Sequence, residues 1–264
     1  AITVCRYLAQ TQAVVSGIDV AKAFDSVSQE SVFAICIANG MAEPDLKLLR
    51  NLYKNCVTYL KVNGAHSRRI NIKRGVKQGC PLSPILFNLV VDQLLRRLEQ
   101  SGFGKKIERR LLSCIGFADD LVLVGSNNTQ VERLAEIATN FYKEVSLTIN
   151  AKKTTLIGTE ETISINNEII TPAKAFKYLG TMIDPKNESR FKASSISYKL
   201  LCVERSERPA GQKLYFIRQH LIPELIHRLI HEKSLDSTLR EIDEKIRSTV
   251  KRILGLSHRT PTSF

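Results

Sequence analysis

Three acidic residues stand where this sequence is otherwise apolar. Asp19 closes the β-branched run Ala13-Val14-Val15-Ser16-Gly17-Ile18, and Asp119-Asp120 sits between the apolar runs Leu111 to Phe117 and Leu121 to Val124. A lone acid in such a place is most often a turn or cap residue. Adjacent carboxylates between two buried strands are costlier, because like charges at short range raise each other's pKa unless a cation lies between them. With Asp19 alongside, three carboxylates can hold two hard divalent ions. Mg²⁺ suits such a set, since it binds through a few carboxylates together with substrate phosphates.

The flanking sequence must position these acids. The run ending at Asp19 is short and β-branched, so a strand is predicted. A helix is expected from about Gln29, because Ser26 and Gln29 have capping-box spacing and Gly40 supplies a stop. Glu43-Pro44-Asp45 opens a second helix through about Asn55. Val57 to Lys73 alternates around Asn63-Gly64 and reads as a β-hairpin. Ser83-Pro84 marks another helix start, with Ser as cap and an apolar face of Ile85, Leu86, Leu89, Val90, Leu94 and Leu98 up to Gly102. Next comes a hairpin with Ala118-Asp119-Asp120 at its tip, and a helix from the Thr129-to-Glu132 capping box to about Val145. Short strands follow as far as Asp184. From there to Phe264 the periodicity is helical, broken near Pro209-Ala210-Gly211 and near Ser234, which places a domain boundary near residue 188.

Composition narrows the class. At 264 residues a chain buries about three-quarters of its unfolded surface and needs neither disulfides nor a structural metal for a core. Hydrophobic and charged fractions of 43% and 25% exclude a wholly disordered, collagen-like or disulfide-scaffold chain. The six cysteines form no CxxC pair, which argues against a zinc ribbon or redox motif and fits a reducing, intracellular compartment. No signal peptide opens the chain, and its most apolar stretch, Ile85 to Leu95, is interrupted by Asn88 and Asp92, so no membrane span is expected. The start at Ala1 reads as that of a fragment. The net charge of +13 is unevenly placed: nine basic residues and no acid lie between Leu46 and Val91, and residues 189 to 264 carry fifteen basic against eight acidic. Basic surfaces on two elements track a phosphate backbone, favouring nucleic acid over membrane. His227 and His231 have i, i+4 spacing, but the string His-Arg-Leu-Ile-His lacks the glutamate of a metalloprotease helix, so no metal role is assigned to them.

Longer strings around the acids carry a resemblance. Gly17-Ile18-Asp19-Val20-Ala21-Lys22-Ala23-Phe24-Asp25-Ser26-Val27 resembles motif A of reverse transcriptases, and Arg74-Gly75-Val76-Lys77-Gln78-Gly79-Cys80-Pro81-Leu82-Ser83-Pro84 resembles motif B. Phe117-Ala118-Asp119-Asp120 resembles motif C, Asn150-Ala151-Lys152-Lys153-Thr154 motif D, and Phe176-Lys177-Tyr178-Leu179-Gly180 the motif E primer grip. Five motifs in order are far more specific than any one. The lysine before Ala-Phe-Asp, the Gln-Gly-X-Pro-Leu-Ser-Pro string and Tyr-Leu-Gly favour the non-LTR retrotransposon branch. Gly211 to Pro223, His227 and Arg259-Thr260-Pro261 resemble the thumb of elements that insert into ribosomal RNA genes.

The resemblance implies an α/β (α+β) fold: a palm with an antiparallel sheet and flanking helices over residues 1–188, with residual fingers, followed by an all-helical thumb over 189–264. It implies RNA-directed DNA polymerase activity, a two-metal transfer of a nucleotide from a dNTP to a primer 3′-hydroxyl. Asp19, Asp119, Asp120 and the Val20 carbonyl are expected to ligate two Mg²⁺ ions, with Mn²⁺ as a possible substitute. Phe24 is the residue whose bulk excludes a 2′-hydroxyl, or equally a core aromatic. Arg74, Gln78 and Gly79 are expected at the nucleotide. Lys153 is the candidate general acid, with Lys152 as alternative, and Lys177, Tyr178 and Gly180 are expected at the primer terminus. Expected partners are an RNA template, a DNA primer, dNTPs and the rest of a larger polyprotein with endonuclease and DNA-binding modules, in the nucleus. Only 18 residues precede Asp19, fewer than extended fingers need, and Cys80 replaces an acid common in this branch. A catalytically inactive nucleic-acid-binding remnant, or a different palm-fold nucleotidyltransferase such as a cyclase, are the alternatives.

Overall fold

The computed structural model describes residues 1–54, 56–185, 194–231 and 236–261, with residues 195, 227, 228 and 231 described by their backbone alone. Two compact units are formed, one of Ala1 and Tyr7–Phe176, the other of Ile2–Arg6 and Lys177–Phe264. The expected boundary near residue 188 and the helix break near Ser234 lie outside the described residues.

Chain order begins with helix α1 (Ile2–Gln10), strand β1 (Val14–Ile18), a single turn α2 (Ala23–Ser26), α3 (Gln29–Ala38) and α4 (Glu43–Lys54). Four two-residue strands follow, β2 (Val57–Thr58), β3 (Lys61–Val62), β4 (Ala65–His66) and β5 (Ile70–Asn71). After α5 (Leu82–Gln100) come β6 (Lys105–Ile107), β7 (Arg110–Leu112), β8 (Cys114–Phe117) and β9 (Asp120–Gly125), then α6 (Asn128–Glu144). The first unit closes with β10 (Thr155–Ile157), β11 (Ile163–Ile165) and β12 (Glu168–Ile170).

The central sheet has the order β10-β1-β9-β8 and is antiparallel throughout. β1 lies inside it, which is why Val14, Val15, Ser16 and Ile18 are all buried. Alternation divides the sheet between two apolar layers. Val14, Ile18, Leu121 and Leu123 join a core with Leu86, Phe87, Val90 and Leu94 of α5 and with Val131, Leu134 and Ala138 of α6. Val15, Val122 and Val124 are equally buried and, by alternation, face the other way, where the Phe176 ring lies over Gly17. Burying each large apolar side chain is worth about 1.5–3 kcal/mol, so the α5 face alone is a major part of the stability. Arg97 ties α5 to α6, pairing with Glu144 at 2.9 Å and lying over the Phe141 ring.

Several boundaries differ from the sequence expectation for local reasons. α3 begins where predicted, but Ser28 rather than Ser26 caps it, its hydroxyl accepting from the Ser31 amide. α5 starts one residue before Ser83, leaving that serine buried inside the helix rather than capping it, and its inward face is rotated toward Phe87 and Val91 while Ile85 stays 58% exposed. α6 is capped by Asn127, whose Oδ1 accepts from the Gln130 amide. The 57–73 hairpin forms around Asn63-Gly64 in two pieces. Its inner pairs, Lys61↔His66 and Val62↔Ala65, are offset by one residue from its outer pairs, Val57↔Asn71 and Thr58↔Ile70. The extra residue sits on the returning side, a bulge that bends the ribbon.

The second unit contains the β13 (Phe176–Tyr178) and β14 (Thr181–Ile183) ribbon, which begins at the unit boundary, followed by α7 (Ser194–Arg205), α8 (Ala210–Phe216), α9 (Ile222–His231) and α10 (Asp236–Ile253). The break expected near Pro209 separates α7 from α8. Between α8 and α9, Ile217–Leu221 is a π-helical segment in which the Ile222 amide donates to the Ile217 carbonyl. The wide turn lies just before Pro223, which has no N–H to continue an ordinary ladder. Ile196, Leu200, Ile217, Leu221, Leu225 and Ile242 form the buried core of this unit.

Candidate active site

Asp19 is the first residue beyond β1, and the backbone around it is held from the side of β10. Its carbonyl accepts from the Asn150 amide at 2.7 Å, its own amide donates to Thr154 Oγ1 at 3.4 Å, and Val20 bridges to Ile149. On the other side β9 runs antiparallel with the register Ile18↔Leu121. One further step of that register sets Asp19 opposite Asp120, and alternation carries both to the face of Val15 and Val122, away from the helical core.

Asp119 stands next to them in the tight turn joining β8 to β9. Phe117 pairs with Asp120, so the loop is only Ala118-Asp119, with Asp120 inside the strand rather than at the tip. Ala118 adopts φ 52°, a left-handed conformation that two-residue hairpins require and that a Cβ makes costly. Backbone strain of this kind, at the residue before two acids, is held in place by the β8–β9 pairing, Phe117↔Asp120 and Gly116↔Leu121.

Charge at this point is unbalanced. Among the described residues none of Asp19, Asp119 and Asp120 makes an ion pair. The Asp120 carboxyl is raised above its ordinary value, chiefly by burial, then by the charges of Asp119 and Asp19. Tyr142, on α6, is pushed well above the usual tyrosine range by burial and then by Asp119. The donors are hard oxygens, and their mutual repulsion is what a divalent cation relieves, so the residues fit such an ion. No three His, Cys, Asp or Glu side chains among the described residues converge into a closed metal cluster. The backbone register is what brings the acids together.

The residues expected at the nucleotide are clamped to the segment after Asp19. The Val76 amide donates to the Phe24 carbonyl and the Gly75 amide to the Val27 carbonyl, both at 2.8 Å. A Cβ on Gly75 would lie 2.6 Å from the Phe24 oxygen, so only glycine permits this approach. Gln78 Nε2 donates to Asp25 Oδ1 at 2.6 Å, and Gln29 Nε2 to the Gly75 carbonyl at 3.2 Å. Arg74, Gln78 and Gly79 line one cleft of about 770 Å³ together with Asp25 and Tyr53. Phe24 is half-buried and stacks on Phe87 with ring centroids 4.4 Å apart.

Lys152 and Lys153 are both exposed in the turn that follows Asn150. Lys177 and Gly180 are exposed and Tyr178 is buried, and all three belong to the second unit. Asp25, Gln29 and Thr154 were not anticipated as site residues. Asp25 directly follows Phe24, and Thr154 directly follows Lys153, so proximity to the motifs was the available signal.

All six cysteines are free, and burial raises Cys5 to about 11 and Cys114 to about 12, leaving them as inert thiols. No described helix is long and apolar enough to cross a membrane.

The family model "Reverse transcriptase (RNA-dependent DNA polymerase)" matches residues 5–183. The sequence is 34% identical over 263 residues to the retrovirus-related Pol polyprotein from the type-1 retrotransposable element R2 of Popillia japonica, covering 94% of this chain and 37% of that protein. It is 33% identical over 266 residues to the corresponding polyprotein of the type-2 element R2DM of Drosophila melanogaster, covering 95% of this chain and 25% of that protein. The chain thus spans well under half the length of these relatives. Among solved structures, the fold is similar to apo telomerase from Candida tropicalis, with a TM-score of 0.51 and 14% identity over 97% of this chain and 44% of that one.

Proposed function

Because the chain belongs to the reverse transcriptase family, we propose that it is the palm and thumb of a non-LTR retrotransposon polymerase, copying an RNA template into DNA from a primer 3′-hydroxyl. The observation that carries this reading is the register that sets Asp19 opposite Asp120, with Asp119 in the adjoining turn and no ion pair to any of the three among the described residues.

Asp19, Asp119 and Asp120, with the Val20 carbonyl, would hold two Mg²⁺ ions, or Mn²⁺ in their place. Bound there, the ions would supply activation of the primer hydroxyl and stabilisation of the leaving pyrophosphate. The chain's own residues do the rest. Phe24, braced by Phe87, limits space at the sugar and excludes a ribose 2′-hydroxyl. Gln78, fixed by Asp25, and Gly79, with no Cβ to obstruct, shape the nucleotide pocket, and Arg74 offers charge to the triphosphate. Lys153, on the turn anchored to the Asp19 carbonyl through Asn150, gives a proton to the departing pyrophosphate, with Lys152 the alternative donor. Lys177, Tyr178 and Gly180 steady the primer end. The remaining partners are the other parts of a larger polyprotein, acting in the nucleus.

Primer extension with Mg²⁺, dNTPs and an RNA template tests this, and loss of extension in Asp19→Ala and Asp119→Ala is the expected result. The alternative is a nucleic-acid-binding remnant without turnover. It predicts salt-sensitive RNA binding, no extension, and no change in Asp119→Ala.

A further inference from the structure

A larger opening in the first unit lies between α3, α4 and the 57–73 ribbon, enclosing about 920 Å³. Lys47, Arg50, Lys54, Arg69 and Lys73 line it, against two acids, Glu30 and Glu43. All five cations are exposed, and among the described residues none of the five makes an ion pair. Elsewhere in the molecule Arg96, Arg97, Arg133 and Lys245 each find a carboxylate. Arg50 is placed instead over the Phe33 ring, 5.8 Å from its centroid, so an aromatic face rather than an acid steadies it.

A second observation is independent of charge. Tyr53 lines the same opening, is only 6% exposed, and its buried hydroxyl has no hydrogen-bond partner. Buried hydroxyls are nearly always paired, so this one leaves a hydrogen bond at the wall of the opening for a bound oxygen, of water or of a ligand, to complete. Tyr53 also lines the neighbouring cleft that holds Arg74, Gln78 and Gly79, and Gln29, Cys56 and Ile72 are likewise common to both walls. The opening is therefore continuous with the residues assigned to the nucleotide, which favours a nucleic-acid strand over an acidic peptide as its occupant.

We infer that this opening is a backbone-phosphate site for a single nucleic-acid strand, formed by Arg50, Lys54, Lys73 and the Tyr53 hydroxyl and distinct from the metal-binding carboxylates. It rests on the polymerase reading for the identity of the strand, and its volume admits a few nucleotides rather than a duplex.

The test is binding of a fluorescein-labelled single-stranded RNA to the full 264-residue chain across a range of NaCl concentrations. Each phosphate contact contributes about 0.7 to the slope of log K against log salt for single strands. The triple variant Arg50→Gln, Lys54→Gln, Lys73→Gln should therefore flatten the slope by about two units. A control with the same charge change at Lys106, Arg109 and Arg110 should flatten it much less. Tyr53→Phe should weaken binding several-fold while leaving the thermal midpoint of the free protein unchanged or raised, since there the hydroxyl has no hydrogen bond to lose. In the unmodified protein, bound RNA should shield Lys54 and Lys73 from acetylation more than Lys106. Equal slopes for the two triple variants, or equal shielding, would overturn the inference. Failure of the polymerase reading registers separately, as extension that survives Asp119→Ala.

Discussion

At the scale of single residues, the acids report their own situation. Asp120 binds its proton more tightly in the folded chain than its ordinary value of 3.8 allows, because burial and then Asp119 and Asp19 disfavour its charge. The native state thus holds a proton that the unfolded chain has already released, and stability falls as pH rises through the elevated value. Asp120→Asn should raise the thermal midpoint at pH 7 in divalent-free buffer only slightly, because the residue is exposed, an advantage that vanishes below the ordinary value. Adding Mg²⁺ should stabilise the unaltered chain and not the variant. Phe24 belongs to the same scale. Its stacking on Phe87 fixes the ring, so Phe24→Val should raise incorporation of ribonucleotides relative to deoxyribonucleotides by tenfold or more, measured by competition in primer extension. The acids and Phe24 were legible in the sequence because their neighbours are distinctive. Asp25 and Thr154 stand inside the same strings, but the hydrogen bonds each makes to another segment, to Gln78 and to Asp19, are not written in them.

At the scale of elements, apolar runs were readable, while caps and register were not. Leu121 to Val124 and Val14 to Ile18 could only be inner strands, and pairing them is enough to align Asp19 with Asp120. Helix starts offered several Ser and Asn residues within a turn of each other, and tertiary packing selected Ser28 and Asn127. The bulge in the 57–73 ribbon and the π-helical segment before Pro223 depend on hydrogen bonds one residue out of step, which periodicity does not encode. Two glycines separate conformation from space. Gly75 and Gly79 have φ of 79° and 80°, but a Cβ on Gly75 meets the Phe24 carbonyl while one on Gly79 meets nothing within 4 Å. Both alanine variants should lose about 1 kcal/mol to backbone strain, and Gly75→Ala at least another 1–2 kcal/mol, read by urea denaturation. In the second unit Glu204 accepts from Arg252 Nε and a terminal guanidinium nitrogen at 2.7 and 3.0 Å, linking α7 to α10. That hydrogen bond holds the Glu204 carboxyl below 4.5, so its stabilisation is present above that value and is lost as pH falls through the lowered one. Arg252→Gln should cost roughly 0.5–1 kcal/mol at pH 7, discounted for exposure, and nothing once Glu204 is protonated.

At the scale of the whole molecule, the charge of +13 resolves into a basic opening in the first unit, a basic helical unit, and three acids that make no ion pair among the described residues. The sequence made the division of labour visible, since charge blocks and motif order survive without coordinates. It did not show that five of the nine cations between Leu46 and Val91 gather around one opening, because α4 and the 57–73 ribbon meet only through tertiary packing. Nor does similarity to relatives of which this chain spans 37% and 25% transfer their whole activity to it. The central claim is that Asp19, Asp119 and Asp120 form a metal-dependent polymerising centre, and the most direct measurement is extension of a DNA primer on an RNA template by the unaltered chain and by Asp19→Ala and Asp119→Ala. The account predicts Mg²⁺-dependent extension that drops on the order of 10³-fold or more in either variant while RNA binding persists, matching the loss of several kcal/mol of transition-state stabilisation. Extension at the unaltered rate in both variants would contradict it.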